Sequence, residues 1–60
     1  MNNRFENINE SISKLTNIEF AHLTEAYTNY MSYGNKSYFD KVCYNLSLIP
    51  QDVLFWFMYQ

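Results

Sequence analysis

The stretch Leu15-Thr16-Asn17-Ile18-Glu19-Phe20 decides the fold, because it contains a complete signal for the start of a helix. A threonine followed three residues later by a glutamate is a capping box, in which each side chain accepts a hydrogen bond from the backbone N–H of the other residue. Leu15 before the cap and Phe20 at the fourth helical position form the matching hydrophobic staple. Gly34 supplies the left-handed position that commonly ends a helix. The pattern predicts a helix between Thr16 and Gly34.

This central helix has a broad apolar face. At about 100° per residue, its apolar side chains span an arc of roughly 160°, which is wider than the seam of a coiled coil. Polar side chains such as Glu25 and Asn29 lie opposite. The face comprises Phe20, Leu23, Tyr27, Tyr30 and Met31, with Ala26 and Tyr33 on its flank. A face of this width predicts that the helix organises the core.

A shorter amphipathic segment precedes the central helix. Its apolar residues are Phe5, Ile8, Ile12 and Leu15. Their spacings of three, four and three residues predict a helix from Phe5 to Leu15. Asn2 or Asn3 is expected to cap its start, and Lys14 lies near its end, where a cation is favoured.

Two further segments follow Gly34. Ser37 and Asp40 form a weaker start signal for a third helix that ends near Ser47, because aspartate reaches back less well than glutamate. The apolar stripe of this helix is Phe39, Val42, Cys43 and Leu46. Pro50 then suits the first turn of a new element.

The last segment, Val53 to Tyr59, is apolar all round, so its periodicity does not separate a buried helix from a strand. Pro50-Gln51-Asp52 before it favours a helix, whereas its β-branched and aromatic content favours a strand. The sequence therefore leaves both open, with the helix favoured.

The length and the cysteine count limit how the chain is stabilised. Sixty residues of 7.3 kDa make one small domain, residues 1–60, and such a chain buries roughly 60% of the surface that its unfolded form exposes. Cys43 is the only cysteine, which excludes an intramolecular disulfide, and one Cys with one His does not make a zinc site of the usual kind. The only Gly and the only Pro lie between periodic segments. We expect an all-α fold, a small bundle of three or four short helices.

The charge pattern argues against nucleic acid as a direct partner. The net charge is −2 and the pI is about 5.0. The basic residues are scattered singly, so that no stripe neutralises several phosphates at once. They are Arg4, Lys14, Lys36 and Lys41. The acidity belongs to residues 1–30, which suits a partner with basic groups.

The composition also bears on location and source. The longest apolar run, Val53 to Tyr59, is far shorter than the roughly 20 residues that span a bilayer. The start does not resemble a signal peptide, and a single unpaired cysteine is typical of a cytoplasmic protein. Eight Asn and six Tyr indicate an A- and T-rich coding sequence, as in many bacteria and their mobile elements. We therefore expect a cytoplasmic protein whose partner is a bacterial host protein.

No set of side chains predicts catalysis or a cofactor. A nucleophile would be Cys43 or a serine, activated by His22, but Cys43 lies on an apolar stripe and is expected in the core. The six carboxylates have plain roles at helix starts or on the surface, and one glycine does not build a phosphate-binding loop. We expect no enzyme activity, no cofactor and no metal.

The aromatic residues are the more informative feature. Twelve aromatic residues and three Met exceed what so short a chain is expected to enclose, and Tyr, Trp and Met are enriched at protein interfaces. We expect about a third of them to face a partner or a second copy of the chain. The hypothesised partner-binding residues are Tyr30, Tyr33, Tyr38, Phe55, Trp56, Phe57 and Tyr59.

Three short segments resemble the Hha/YmoA family of bacterial nucleoid-associated modulators. Leu15 to Ala21, continuing to Ala26, is similar to that family's Leu-Ser-Asp-x-Glu-Leu-Ala pattern. Tyr38-Phe39-Asp40-Lys41-Val42 resembles its Leu-Tyr-Asp-Lys-Ile, and Ile49-Pro50-Gln51-Asp52-Val53 resembles its Ile-Pro-x-x-Val-Trp. The resemblance implies a small, all-helical, non-enzymatic protein that binds H-NS-type proteins on DNA.

The chain departs from that family at the charged contact residues. Thr28-Asn29-Tyr30 stands where the family has Asp-His-Arg, and Leu54 stands where it has Trp. The basic first helix of the family is also missing. Those contact roles therefore do not transfer to this chain.

These observations favour a small protein-binding regulator, which the resemblance links to an H-NS-like nucleoid or transcription protein. The first alternative is an inhibitor from a phage or mobile element that blocks a host enzyme or defence complex. The second is a homo-oligomeric structural module.

Overall fold

The computed structural model describes residues 3–59, with side chains described from residue 5 onward. Over this part of the chain the structure consists of four α-helices and contains no strand. They are α1 (Asn3–Ser13), α2 (Asn17–Tyr33), α3 (Lys36–Asn45) and α4 (Pro50–Met58). The expected all-α fold is confirmed, and the ambiguous segment after Pro50 is helical through Met58. None of these four helices is long and apolar enough to cross a membrane.

Both ends of α2 form as the sequence predicts. The Glu19 N–H donates to Thr16 Oγ1 at 3.1 Å, and the Thr16 N–H donates to Glu19 Oε1 at 2.9 Å. Gly34 ends the helix at φ 71°, in the left-handed region, and its N–H donates to the Tyr30 carbonyl at 2.8 Å. This conformation favours glycine because it has no Cβ.

The prediction for α1 is wrong by two residues at its C-terminal end, and one of the two predicted caps is excluded. The helix begins at Asn3, which is therefore helical rather than a cap, and Asn2 lies outside the described residues. It ends at Ser13, before Lys14 and Leu15. The physical reason is Thr16, whose extended backbone (φ −69°, ψ 166°) caps α2 and therefore does not continue a preceding helix.

The predicted start of α3 at Ser37 is also wrong. Asn35 is the N-cap, and its Oδ1 accepts a hydrogen bond from the Tyr38 N–H at 3.3 Å. Asp40 instead accepts a hydrogen bond from Lys36 Nζ at 2.9 Å, one turn away on the same helix. The helix stops at Asn45, just before Ser47 takes a left-handed conformation at φ 60°.

The four helices pack as two pairs, and the helices of one pair lie between those of the other in the sequence. α2 packs against α3, α1 packs against α4, and α3 joins the two pairs through its contacts with α4. The buried core draws on every helix and on the loop before α4. It consists of Ile8, Ile12, Leu23, Ala26, Phe39, Cys43, Leu48, Val53 and Trp56.

The buried face of α2 differs from the predicted one. Leu23 and Ala26 are fully buried, whereas Met31 is 54% exposed and Phe20 is 37% exposed. Ala26, predicted on the flank of the face, is one of the two fully buried residues of this helix.

Candidate protein-interaction surface

Six aromatic rings contact one another in a continuous series that includes the buried Phe39 and Trp56 and ends at the exposed Phe20. The series runs in the order Phe20, Trp56, Phe57, Tyr27, Phe39 and Tyr30. Its closest contact is the stack of Tyr27 on Phe57, with ring centroids 4.2 Å apart and planes inclined by 10°. The six rings belong to α2, α3 and α4, and they stabilise the fold by packing on one another. We call this series of rings the core ring chain.

Three of the predicted partner-binding residues belong to the core ring chain. Trp56 is only 9% exposed, and its Nε1–H donates to Asn9 Oδ1 on α1 at 2.8 Å. Phe57 is half-buried and stacks on Tyr27. Tyr30 is half-buried and stacks on Phe39. Trp56 is therefore a core residue rather than a surface residue, because it lies on the side of α4 that faces the other helices.

Tyr33 and Tyr38 lie apart from the core ring chain. Tyr33 is 83% exposed at the end of α2. Tyr38 is half-buried, and its hydroxyl donates to Glu25 Oε1 at 3.4 Å. Neither residue shares a ring cluster with the aromatic residues at the end of α4, so that the predicted set does not form one surface.

The remaining two predicted residues form a surface with a residue from the other end of the chain. Phe55 and Tyr59 lie with their ring centroids 4.6 Å apart, and Phe5 on α1 meets Phe55 edge to face at 5.9 Å. Tyr59 is 67% exposed, and Met58 beside it in the chain is 72% exposed. We call Phe5, Phe55, Met58 and Tyr59 the terminal aromatic surface.

Sequence reasoning placed Phe5 in the core stripe of α1 and did not assign it to a binding surface. Local spacing shows that Phe5 is apolar, but it does not show that α1 pairs with α4. The exposure of Met58 likewise depends on which side of an all-apolar helix is buried.

The terminal aromatic surface borders an open cleft of about 450 Å³. Phe5, Phe55 and Tyr59 line it together with Glu6, an exposed residue in the first turn of α1. A second, smaller concavity of about 230 Å³ lies between α1 and the loop before α4. That second concavity contains no aromatic residue.

Exposed apolar side chains also occur elsewhere on the fold, among them Met31 and Tyr33 near the end of α2. Ile18 lies at the start of α2, Tyr44 near the end of α3 and Ile49 in the loop before α4. Each of them is more than half exposed. The terminal aromatic surface therefore differs from these positions in bringing several rings into mutual contact.

Cys43 and His22, the candidate catalytic residues, have different surroundings. Cys43 is fully buried, as predicted, and burial together with the negative charge of Asp40 raises the pKa of its thiol to about 12. Burial and the raised pKa both favour the protonated thiol, which is the less nucleophilic form. His22 lies on the exposed surface of α2. Among residues 5–59, no three His, Cys, Asp or Glu side chains are close enough together to hold a metal ion.

Comparison with known proteins gives no match with any family model, curated protein or solved structure. The similarity to the Hha/YmoA family therefore stays a prediction.

Proposed function

We propose that this chain is a small non-enzymatic module that acts by binding another protein through the terminal aromatic surface. The observation that carries the proposal is the contact of Phe5, Phe55 and Tyr59 at a cleft on the outside of the fold. Aromatic and Met side chains are enriched at protein interfaces, where they lose contact with water on binding.

The burial pattern supports the same proposal. The core ring chain and the aliphatic core already fill the interior, so that the exposed parts of Met58 and Tyr59 add little to folding. A contiguous exposed apolar patch usually marks an interaction site on a small protein. Phe5, Phe55 and Met58 lie on helices, which limits the conformational freedom that binding has to remove from these side chains.

Within this proposal, the biological role is regulation of a bacterial host protein. An H-NS-like partner would agree with the Hha/YmoA resemblance. A nuclease or another enzyme as the partner would instead make the chain an inhibitor. The identity of the bound protein therefore separates the two roles.

The test is photocrosslinking from a benzoylphenylalanine placed at residue 59 in a bacterial lysate. We expect one predominant crosslinked protein. The matched control carries the same group at Tyr33, which is even more exposed but lies outside the terminal aromatic surface. Equal crosslinking from both positions, or none from residue 59, would contradict the proposal, and crosslinks only between copies of this chain would indicate a homo-oligomeric module.

A pair of double variants makes the same test without the crosslinker. Replacing Met58 and Tyr59 by Ser should abolish binding of the captured protein and keep the helical circular dichroism signal, because both side chains are exposed. Replacing Tyr33 and Tyr44 by Ser removes a comparable exposed area and should leave binding unchanged.

A further inference from the structure

We propose that α1 exchanges between two copies of this chain, so that α1 of each copy packs on α4 of the other. Such a domain-swapped dimer reproduces the α1–α4 contacts of the single chain. The inference goes beyond the proposed function, because it needs no other protein. It depends on where α1 packs, on how completely it packs and on where the chain opens.

Helix α1 is attached to the fold mainly through α4. It packs on α4, whereas its contacts with α2, the next helix in the sequence, and with α3 are at most minor. The most extensive pairing among the described helices is that of α2 with α3. Release of α1 therefore leaves the α2–α3 pair in place and uncovers α4 at Trp56, whose indole is hydrogen-bonded to Asn9.

The packing of α1 against its neighbours is incomplete. Both concavities described above lie along this helix, the first lined by Phe5 and Glu6 and the second by Asn7, Ile8 and Ser11. Residues of α4 and of the loop before it form the opposite walls. Side chains that border a gap lose attractive contacts on that side, so these concavities weaken the attachment of α1.

Helix α1 also has little stability of its own. Five of its 11 residues are Asn or Ser, which are weaker helix formers than Ala, Leu or Glu. A helix of this length is marginal in water without packing, and α1 buries only Ile8 and Ile12 among its described side chains. Segments with few buried contacts open at a lower free energy than the rest of a fold. We therefore expect α1 to open first.

The sequence between α1 and α2 determines where the chain opens. Lys14 and Leu15 connect the end of α1 to Thr16, the N-cap of α2. The capping box of Thr16 and Glu19 uses hydrogen bonds within the start of α2 alone, so that α2 keeps its first turn when α1 leaves. Short hinge loops favour exchange of the element that they connect.

The exchange has a consequence for the terminal aromatic surface. In the dimer, Phe5 of one copy lies against Phe55 of the other, so that each surface is built from two chains. The dimer presents two such surfaces. A partner that engages both of them gains avidity without any new contact.

The first test is sedimentation equilibrium of the full chain. A helix tethered by a short linker has an effective concentration in the millimolar range, so that a second copy competes with it at a chain concentration of about 1 mM. We expect monomers at about 10 µM and dimers at about 1 mM. Deletion of Lys14 shortens the hinge and should lower the concentration at which dimers form about tenfold. Lys14→Ala is the matched control, because it also removes the ion pair with Glu10 but keeps the length, and it should have no effect.

The second test shows whether α1 is exchanged within the dimer. Dimers are prepared from equal amounts of ¹⁵N-labelled and unlabelled chains. The indole N–H of Trp56 on a labelled copy should give a nuclear Overhauser effect to the Asn9 side chain of an unlabelled copy, because Nε1 and Oδ1 of this pair lie 2.8 Å apart. The Met58→Ser, Tyr59→Ser double variant should keep the dimer, since both side chains are exposed.

Three results would overturn the inference. They are a chain that stays monomeric at about 1 mM with and without Lys14, a dimer in which Trp56 and Asn9 show no effect between copies, and a dimer that the Met58→Ser, Tyr59→Ser variant dissociates. If deletion of Lys14 prevents folding, the labelling experiment on the unmodified chain decides. Crosslinking from residue 59 to another protein tests the proposed function separately, so that either idea can fail without the other.

Discussion

The Trp56 side chain on α4 donates a hydrogen bond to Asn9 on α1. Removing this bond should lower the free energy of unfolding. Nε1 and Oδ1 are 2.8 Å apart, and the two residues are 47 positions apart in the chain. Asn9→Ala removes this acceptor of the Trp56 indole, a side chain that is 9% exposed. Loss of a part-buried side-chain hydrogen bond of this kind costs about 1 to 2 kcal/mol.

Helix propensity acts in the opposite direction. Alanine is a better helix former than asparagine by about 0.6 kcal/mol at a helical position, so that the net loss for Asn9→Ala is about 0.5 to 1.5 kcal/mol. Asn7→Ala is the matched control, because Asn7 is exposed on the same helix and gains the same propensity. The difference between the two variants isolates the hydrogen bond.

Urea unfolding followed at 222 nm measures each variant. A double-mutant cycle with Trp56→Phe separates the bond from the loss of ring volume and should give a coupling of about 1 kcal/mol. If Asn9→Ala and Asn7→Ala unfold with free energies that agree within about 0.3 kcal/mol, the Trp56–Asn9 bond does not hold the helices together.

Three further predictions concern the α2 termini and the buried thiol. Thr16→Ala should lower the free energy of unfolding by about 1 kcal/mol because it removes the cap, whereas Thr16→Ser should change it little; an unaltered urea midpoint for the alanine variant would contradict the capping assignment. Gly34→Ala should cost about 1 kcal/mol through its left-handed backbone alone, because a Cβ there meets no atom within 4 Å, and Gly34→Asn should cost less. If both substitutions are neutral in thermal unfolding, the αL end of the helix is refuted. Because the pKa of the Cys43 thiol is raised from 9.0 to about 12 on folding, its contribution to stability is present below pH 9 and is lost between pH 9 and pH 12, where the unfolded thiol ionises first. Unfolding free energies over this range should fall less steeply in Cys43→Ala, and parallel slopes would contradict the prediction.

The features that could be predicted from the sequence are those set by a few neighbouring residues. The capping box at Thr16 and Glu19, the left-handed Gly34 and the start of α4 at Pro50 each depend on contacts within one turn of backbone. Such local preferences survive in the fold because no tertiary contact opposes them.

The features that could not be predicted depend on which helices pair. Asn35 rather than Ser37 caps α3, since both are good caps and only the path of the chain after Gly34 decides between them. The burial of Trp56 and the contact of Phe5 with Phe55 both follow from the packing of α1 on α4. An all-apolar segment such as α4 contains no periodicity that identifies its buried side.

The pairing of α1 with α4 makes the terminal aromatic surface a property of the native state alone. Phe5 comes from one end of the sequence and Tyr59 from the other, so that the cleft exists only after the whole chain has folded. A protein that binds there has no affinity for the unfolded chain and adds RT ln(1 + [L]/Kd) to its stability. At a partner concentration 100 times Kd, that increment is about 2.7 kcal/mol, which is large for a 60-residue domain. If a partner binds at this surface as proposed, its binding would therefore be thermodynamically linked to folding.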